Sequence, residues 1–232
     1  MMPTTGPFMP VGLAGRAGAG KDTCADVLTH THGFARIAFA DAVRVELAHS
    51  FGVDIRLFIE RTHKETPTNE LRVSRCNEPL FIDLARALGY SGDTSLSPRL
   101  AMRLWATEFR RSHFGDDYWV RQAHETYEQA IRHGWRRVVF TDLRHLVEAA
   151  YLHQLGGEIW RVRRSSTDSV PATHDSEREV ELILPDREIC NEGSLTDLAG
   201  AAHTTYLTAK VLRASHEHFL GAAESQPATQ PN

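Results

Sequence analysis

Lys21 closes the stretch Gly15-Arg16-Ala17-Gly18-Ala19-Gly20-Lys21, which is followed by Asp22 and Thr23. The spacing is G-x-x-x-x-G-K. Glycines in such an arc turn consecutive N–H groups into one cavity, and a helix starting at the lysine adds its positive end. The lysine then reaches the outer phosphates of a bound nucleotide. The usual pattern has serine or threonine after the lysine, and this chain has Asp22. A carboxylate against a polyphosphate is repulsive, so Asp22 is expected to face away. Thr23, one position later, is expected to supply the hydroxyl. Nucleotide binding is assigned to Gly15, Ala17, Gly18, Ala19, Gly20, Lys21, Asp22 and Thr23.

Further groups of residues have types and spacings suited to phosphate chemistry or substrate contact. Asp41 and Arg44 are three apart on one helix face, where a guanidinium can grip an acceptor phosphate bidentately; a solvated pair with Asp41 capping the helix is the alternative. Asp142 ends the apolar run Val138-Val139-Phe140-Thr141, the place of a magnesium-organising carboxylate, and Arg144 follows it towards the same cleft. The alternative is a helix cap and a surface arginine. Arg161, Arg163 and Arg164 lead into a polar, breaker-rich segment. A lid bearing arginines supplies charge and excludes water, whereas a solvated face would leave the same pattern. His174, Glu177 and Arg178 are candidate lid-closure contacts. Lys64-Glu65, Arg72 and Arg75 are candidates for substrate contact. Trp105 is read either as a stacking surface for a base or as core, and Glu108 and Arg111 as substrate contacts or an i,i+3 surface pair.

The elements that position these groups follow from apolar runs and breakers. Val11–Ala14 is a short buried strand before the glycine arc. Phe34–Ala40 is a second strand, and Asp41 caps a helix to about Ser50. Polar texture dominates Glu60–Glu78, with helical patches near Leu80–Leu88 and after Pro98. Arg137–Thr141, Glu158–Arg163 and Arg187–Cys190 complete the strands. Leu143–Leu155 is read as a helix, Ser165–Glu177 as a mobile loop, and a long helix opens at Ser194 or Thr196. Strand–helix alternation of this kind predicts an α/β fold with a parallel sheet, whose ligands lie beyond the carboxyl ends of its strands. The expected organisation is a leader at 1–10, a core of 11–51 and 134–220, a helical insert at 52–133 with 52–97 most mobile, a lid at 164–178 and a disordered tail at 221–232.

The 232 residues carry a formal charge of −4, with 41% apolar and 24% charged residues. That balance argues against a nucleic-acid-coating surface. No run approaches the ~20 apolar residues that span a bilayer. The three cysteines are far apart, and the thirteen histidines are scattered without a third ligand at metal spacing, so neither a disulfide scaffold nor a structural zinc is expected. A cytoplasmic location follows as an expectation.

Beyond the loop, the chain resembles the deoxynucleoside monophosphate kinases of tailed bacteriophages, within the adenylate-kinase-like P-loop kinases. The resemblance is carried by GLAGRAGAGKDTCADVL, FADAVR, SPRLAMRLWATEFRR with DDYWV, FTDLRHLVEA, GGEIWRVRR, HDSE and ICNEGSLTDL, from Val11 to about Leu198. It implies a five-stranded parallel P-loop kinase core with a helical substrate-binding insert and a short lid. The implied activity is phosphoryl transfer from ATP, with Mg2+, to a deoxynucleoside 5′-monophosphate in the host cytoplasm. Lys21, Arg144, Arg163 and Arg164 would be catalytic. Asp41, Arg44, Lys64, Trp105, Glu108, Arg111 and Arg144 would meet the acceptor, and Thr23 and Asp142 the metal. Homodimerisation is the family habit. Departures at Ala42, Met102, Ala106, His145 and Val147 bear on base preference. Other acceptors (ribonucleotides, dephospho-coenzyme A, phosphomevalonate) and a non-catalytic nucleotide-binding protein are the alternatives.

Overall fold

Met9–Ala14 is apolar throughout and all six of its residues are buried, as expected of a central strand covered on both faces. In the computed structural model, which describes residues 9–60, 62–168 and 175–224, this strand is β1. It is followed by α1 (Lys21–His32), β2 (Ala35–Ile37), α2 (Phe39–Phe51), α3 (Arg56–Ile59), α4 (Pro79–Ala87) and α5 (Pro98–Arg103). A π-helical run, Leu104–Arg111, leads into α6 (Ser112–Phe114) and α7 (Tyr118–Arg132). Then come β3 (Arg137–Leu143), α8 (Leu146–Gln154), β4 (Glu158–Arg163), α9 (Ser165–Asp168), α10 (Asp175–Leu182), β5 (Arg187–Cys190) and α11 (Leu195–Glu224). The sheet is parallel and five-stranded, in the order β2-β3-β1-β4-β5. β1 lies at its centre, so the loop leaving β1 stands at the carboxyl edge where such sheets bind ligands.

The chain divides into two units, Met1–Arg36 with Glu128–Asn232, and Ile37–Tyr127. In the first, Leu13, Leu28, Val139, Trp160, Ile189, Leu198 and Ala202 form the core. In the second, Leu47, Leu71, Phe81, Leu96, Leu104, Trp105 and Phe109 form another. α2, which the sequence reading grouped with the core, clusters with the second unit.

Several element bounds differ from expectation, each for a local reason. β1 takes in Met9 and Pro10, residues expected in the leader. The second strand ends at Ile37 and α2 starts at Phe39. Asp41 therefore sits inside the first turn, where its Oδ2 accepts from the Ala38 N–H at 3.0 Å; it completes the helix start without being the capping residue itself. The segment read as a mobile loop from Ser165 carries α9 and the start of α10, and its residues 169–174, His174 included, lie outside the described residues. α11 runs on to Glu224, past the expected start of the tail. Ser194 opens it: Asp197 Oδ2 accepts from the Ser194 N–H and hydroxyl, and Ser194 Oγ from the Asp197 N–H.

In the first unit, α1 and α11 meet through a polar cluster. His203 Nδ1 lies 3.0 Å from His32 Nε2, the His32 ring stacks on Tyr206 at 4.0 Å, and Arg137 donates to the His32 carbonyl and the Tyr206 hydroxyl. Burial pushes the His32 pKa from 6.5 down to about 4, and the His203, Arg137 and Lys210 charges act in the same direction. A base with a depressed folded pKa binds fewer protons folded than unfolded, so stability falls as pH drops through that window. Denaturant unfolding should show stability declining from pH 6.5 towards 4, with a flatter profile in His32→Gln. Identical slopes in the two proteins would remove this cluster as the cause.

Candidate functional site

The glycine arc is shaped by its neighbours. Gly15, Gly18 and Gly20 have φ of 135°, 81° and 109°, values that favour glycine. A Cβ on Gly15 would lie 2.3 Å from the Val162 carbonyl oxygen, and one on Gly20 would meet Leu198 at 2.6 Å and Asn191 at 2.7 Å. Lys21 Nζ donates to the carbonyls of Gly15 at 2.5 Å and Arg16 at 2.8 Å, so the ammonium is folded over the arc it is expected to serve. Gly15→Ala should lower thermal stability by more than about 2 kcal/mol, because strained φ and a backbone clash coincide. A wild-type melting temperature for that variant would contradict this geometry.

Asp22 Oδ1 accepts from Arg36 at 3.0 Å, so its charge is matched by a guanidinium. Thr23 is half-buried in the first turn of α1. Two residues that the sequence reading left without a role brace the arc. Asn191, buried and directly after β5, donates from Nδ2 to the Ala19 carbonyl at 2.8 Å. Arg16 donates from Nε to Glu181 Oε1 at 2.8 Å and from a terminal guanidinium nitrogen to the Thr167 carbonyl at 3.1 Å, joining the arc to α10 and α9. An asparagine at the mouth of a terminal strand was the available signal for the first; nothing in the sequence pairs Arg16 with Glu181.

β3 continues past Thr141 to Leu143, so Asp142 lies within the strand. Gly12 pairs with Phe140 and Ala14 with Leu143, which leaves β3 one residue longer than β1 across that interval. A bulge of this kind re-aims side chains, and here it falls across Thr141 and Asp142, beside the exit of β1 into the glycine arc. The following turn is pinned from two sides. Glu148, buried on α8, accepts from the Arg144 N–H at 2.7 Å and the His145 N–H at 3.0 Å. Glu179 on α10 accepts from the Leu146 N–H at 2.8 Å and lies 2.7 Å from His145 Nδ1. Arg144 itself is exposed.

The three arginines of β4 and its exit separate. Arg161 donates to the Val180 carbonyl at 3.1 Å and also to that of Ile183, at the end of α10. It caps a helix C-terminus, where a cation is favoured, and is structural. Arg163 is half-exposed, 4.0 Å from Glu188, and Arg164 is exposed just before α9.

In the second unit, Arg44 donates to Asp41 Oδ1 at 2.5 Å, while its Nε is buried and has no hydrogen-bond partner. Trp105 is fully buried against Phe81 and Phe109. Its indole donates to Glu46 Oε2 at 2.8 Å, so the tryptophan is core and the stacking expectation is corrected. Glu46 also accepts from Arg110 Nε at 2.7 Å and the Tyr118 hydroxyl at 2.6 Å. The Arg110 guanidinium lies 4.7–5.5 Å from the rings of Phe109, Trp105, Phe114 and Tyr118. Burial, with Glu46 second, raises the Tyr118 pKa to about 12 and keeps it a donor. Of the two readings of Glu108 and Arg111, the i,i+3 pair is not the one that forms. The π-helical run places Glu108 Oε1 3.7 Å from Arg103 Nε and leaves Arg111 3.6 Å from Asp116. Lys64 is half-buried, with its carbonyl accepting from the Arg99 N–H at 2.9 Å.

Thr23 and Asp142 are both oxygen donors, the ligand type that magnesium takes, and both lie in the unit that carries the glycine arc. Among the described residues there is no group of three or more His, Cys, Asp or Glu placed to hold a metal by themselves, and no helix long and apolar enough to cross a membrane.

Comparison with known proteins adds three findings. The family model for deoxynucleotide monophosphate kinase matches residues 81–201, just over half of the chain. Comparison with curated proteins gave no significant match. Among solved structures, a dephospho-CoA kinase from Campylobacter jejuni superposes with a TM-score of 0.50 at 13% identity, covering 88% of this chain and 98% of its own. A Thermus thermophilus structure (TM-score 0.42, 17% identity, covering 96% of this chain and 100% of its own) and a sugar kinase from a Janibacter species (0.41, 14%, 85% and 94%) are more distant in shape. At such identities the likeness speaks to the fold, which is that of P-loop kinases.

Proposed function

The chain belongs to the deoxynucleotide monophosphate kinase family, and we propose on that footing that it transfers the terminal phosphate of ATP to a deoxynucleoside 5′-monophosphate, releasing ADP and the diphosphate. The observation that carries the proposal is the family match itself. It spans 81–201 and so leaves out the glycine arc, the part common to many nucleotide-binding proteins. The arc supports the donor side independently, through its positive-φ glycines and the lysine folded over them.

In the proposed mechanism the acceptor phosphate is already anionic, so no protein nucleophile or strong base is needed. Lys21 and the arc's N–H groups stabilise charge on the transferred group. Its ammonium must leave the Gly15 and Arg16 carbonyls to do so. Arg44, oriented by Asp41, grips the acceptor phosphate, with Arg144 as the second positioning cation. Arg163 and Arg164 are the lid arginines. Magnesium, held through Thr23 and Asp142, would supply charge neutralisation at the phosphates when bound. The helices α9 and α10 then belong to the lid that excludes water. Lys64, Glu108 and Arg111 complete the acceptor side.

A coupled ADP-release assay tests this reading, with Mg-ATP against dAMP, dGMP, dCMP, dTMP and the matching ribonucleotides. Strong stimulation by one or more deoxynucleotides is expected. ADP formation stimulated only by a non-nucleotide acceptor, or by none, would overturn it.

A further inference from the structure

Glu108 is a carboxylate short of a donor. Its Oε1 stands 3.7 Å from Arg103 Nε, and its Oε2 is buried with no hydrogen bond. A buried acceptor left in this state is costly unless something completes it. The surrounding backbone is equally unusual. Leu104–Arg111 is π-helical, a rare winding found chiefly at functional sites. Its i→i+5 bonding brings residues five apart onto one face, and Arg103 and Glu108 are five apart. In an α-helix they would point in different directions.

The same unit holds the complementary deficit. Arg44 Nε and Arg72 Nε are buried donors without an acceptor. A group that completes Glu108 Oε2 is a donor, and one that completes Arg44 Nε or Arg72 Nε is an acceptor. A nucleoside monophosphate has both, in its phosphate and in the Watson–Crick edge of its base. We infer that Glu108 reads the base of the acceptor nucleotide, accepting an N–H from that edge through Oε2. Arg103, beside it, donates to the neighbouring base acceptor. Glu108 is thus the specificity-determining residue, an assignment that rests on the nucleotide-kinase reading above. A glutamine there offers both a donor and an acceptor, and so blurs the distinction that a carboxylate makes.

The test is kcat/KM for the four deoxynucleoside monophosphates in the wild type and in Glu108→Gln. The ratio between the best and worst acceptor should shrink by about tenfold or more, the scale of one good base contact, while the KM for ATP stays unchanged. A uniform fall for all four, or no change, would overturn the inference and leave the kinase assignment standing. A wild type that phosphorylates none of them overturns the assignment and the inference together. A second arm needs no variant. An analogue of the preferred acceptor with its Watson–Crick N–H groups fully methylated should lose about tenfold in kcat/KM with the wild-type protein; full retention would contradict the contact.

Discussion

Lys21→Ala should lower kcat for ADP formation by about 10²–10³-fold or more, the scale set by removing one preorganised charge-stabilising donor, with the fold intact. The Lys21 ammonium lies over the glycine arc. It donates to the Gly15 and Arg16 carbonyls, contacts that an alanine abolishes without opening the core, because Lys21 is only half-buried at the start of α1. The core beneath is made by Cys24, Ala25 and Leu28, which the substitution leaves in place. Circular dichroism and melting temperature should therefore stay near wild type while turnover collapses. A uniform-binding role predicts something different, a raised KM for ATP with kcat preserved. Turnover unchanged in the alanine variant would dismiss the glycine arc as a catalytic element.

What the sequence disclosed, and what it hid, divides along a physical line. Strand positions were legible: β4 and β5 fall on Glu158–Arg163 and Arg187–Cys190, the bounds read from the sequence, although β5 is an edge strand with only Ile189 buried. The glycine arc was legible too, since only glycine suits its φ values. Charged side chains were harder, because their roles depend on partners remote in the chain. Arg161 and Arg163 look alike in sequence, yet one caps α10 and the other faces Glu188. Trp105 could not be sorted by pattern, because the carboxylate that satisfies its indole, Glu46, is 59 residues away. The π-helical run broke the i,i+3 arithmetic outright and moved Glu108 from Arg111 to Arg103. The bulge across Thr141 and Asp142 was equally invisible, being a property of the pairing between two strands rather than of either.

Arg44→Ala should raise the KM for the acceptor monophosphate by about 10²-fold, the equivalent of the ~2–5 kcal/mol at stake in a buried, hydrogen-bonded charge pair, with ATP binding unaltered. Asp41 makes the argument. One of its oxygens accepts from the Ala38 N–H at the start of α2 and the other from an Arg44 terminal nitrogen, so the carboxylate is fixed to the backbone and the guanidinium to the carboxylate. The Nε edge of Arg44 is left buried without an acceptor. A planar fork held on one side and unfilled on the other suits a phosphate's bidentate geometry. Lysine keeps the charge and loses the fork, so Arg44→Lys should recover only part of the affinity. Asp41→Asn should fall between wild type and alanine, since it keeps a carbonyl oxygen for the helix start but weakens the hold on the guanidinium. An alanine variant with unchanged acceptor KM would move the phosphate grip off α2. Full rescue by lysine would make Arg44 a point charge and not a positioning fork.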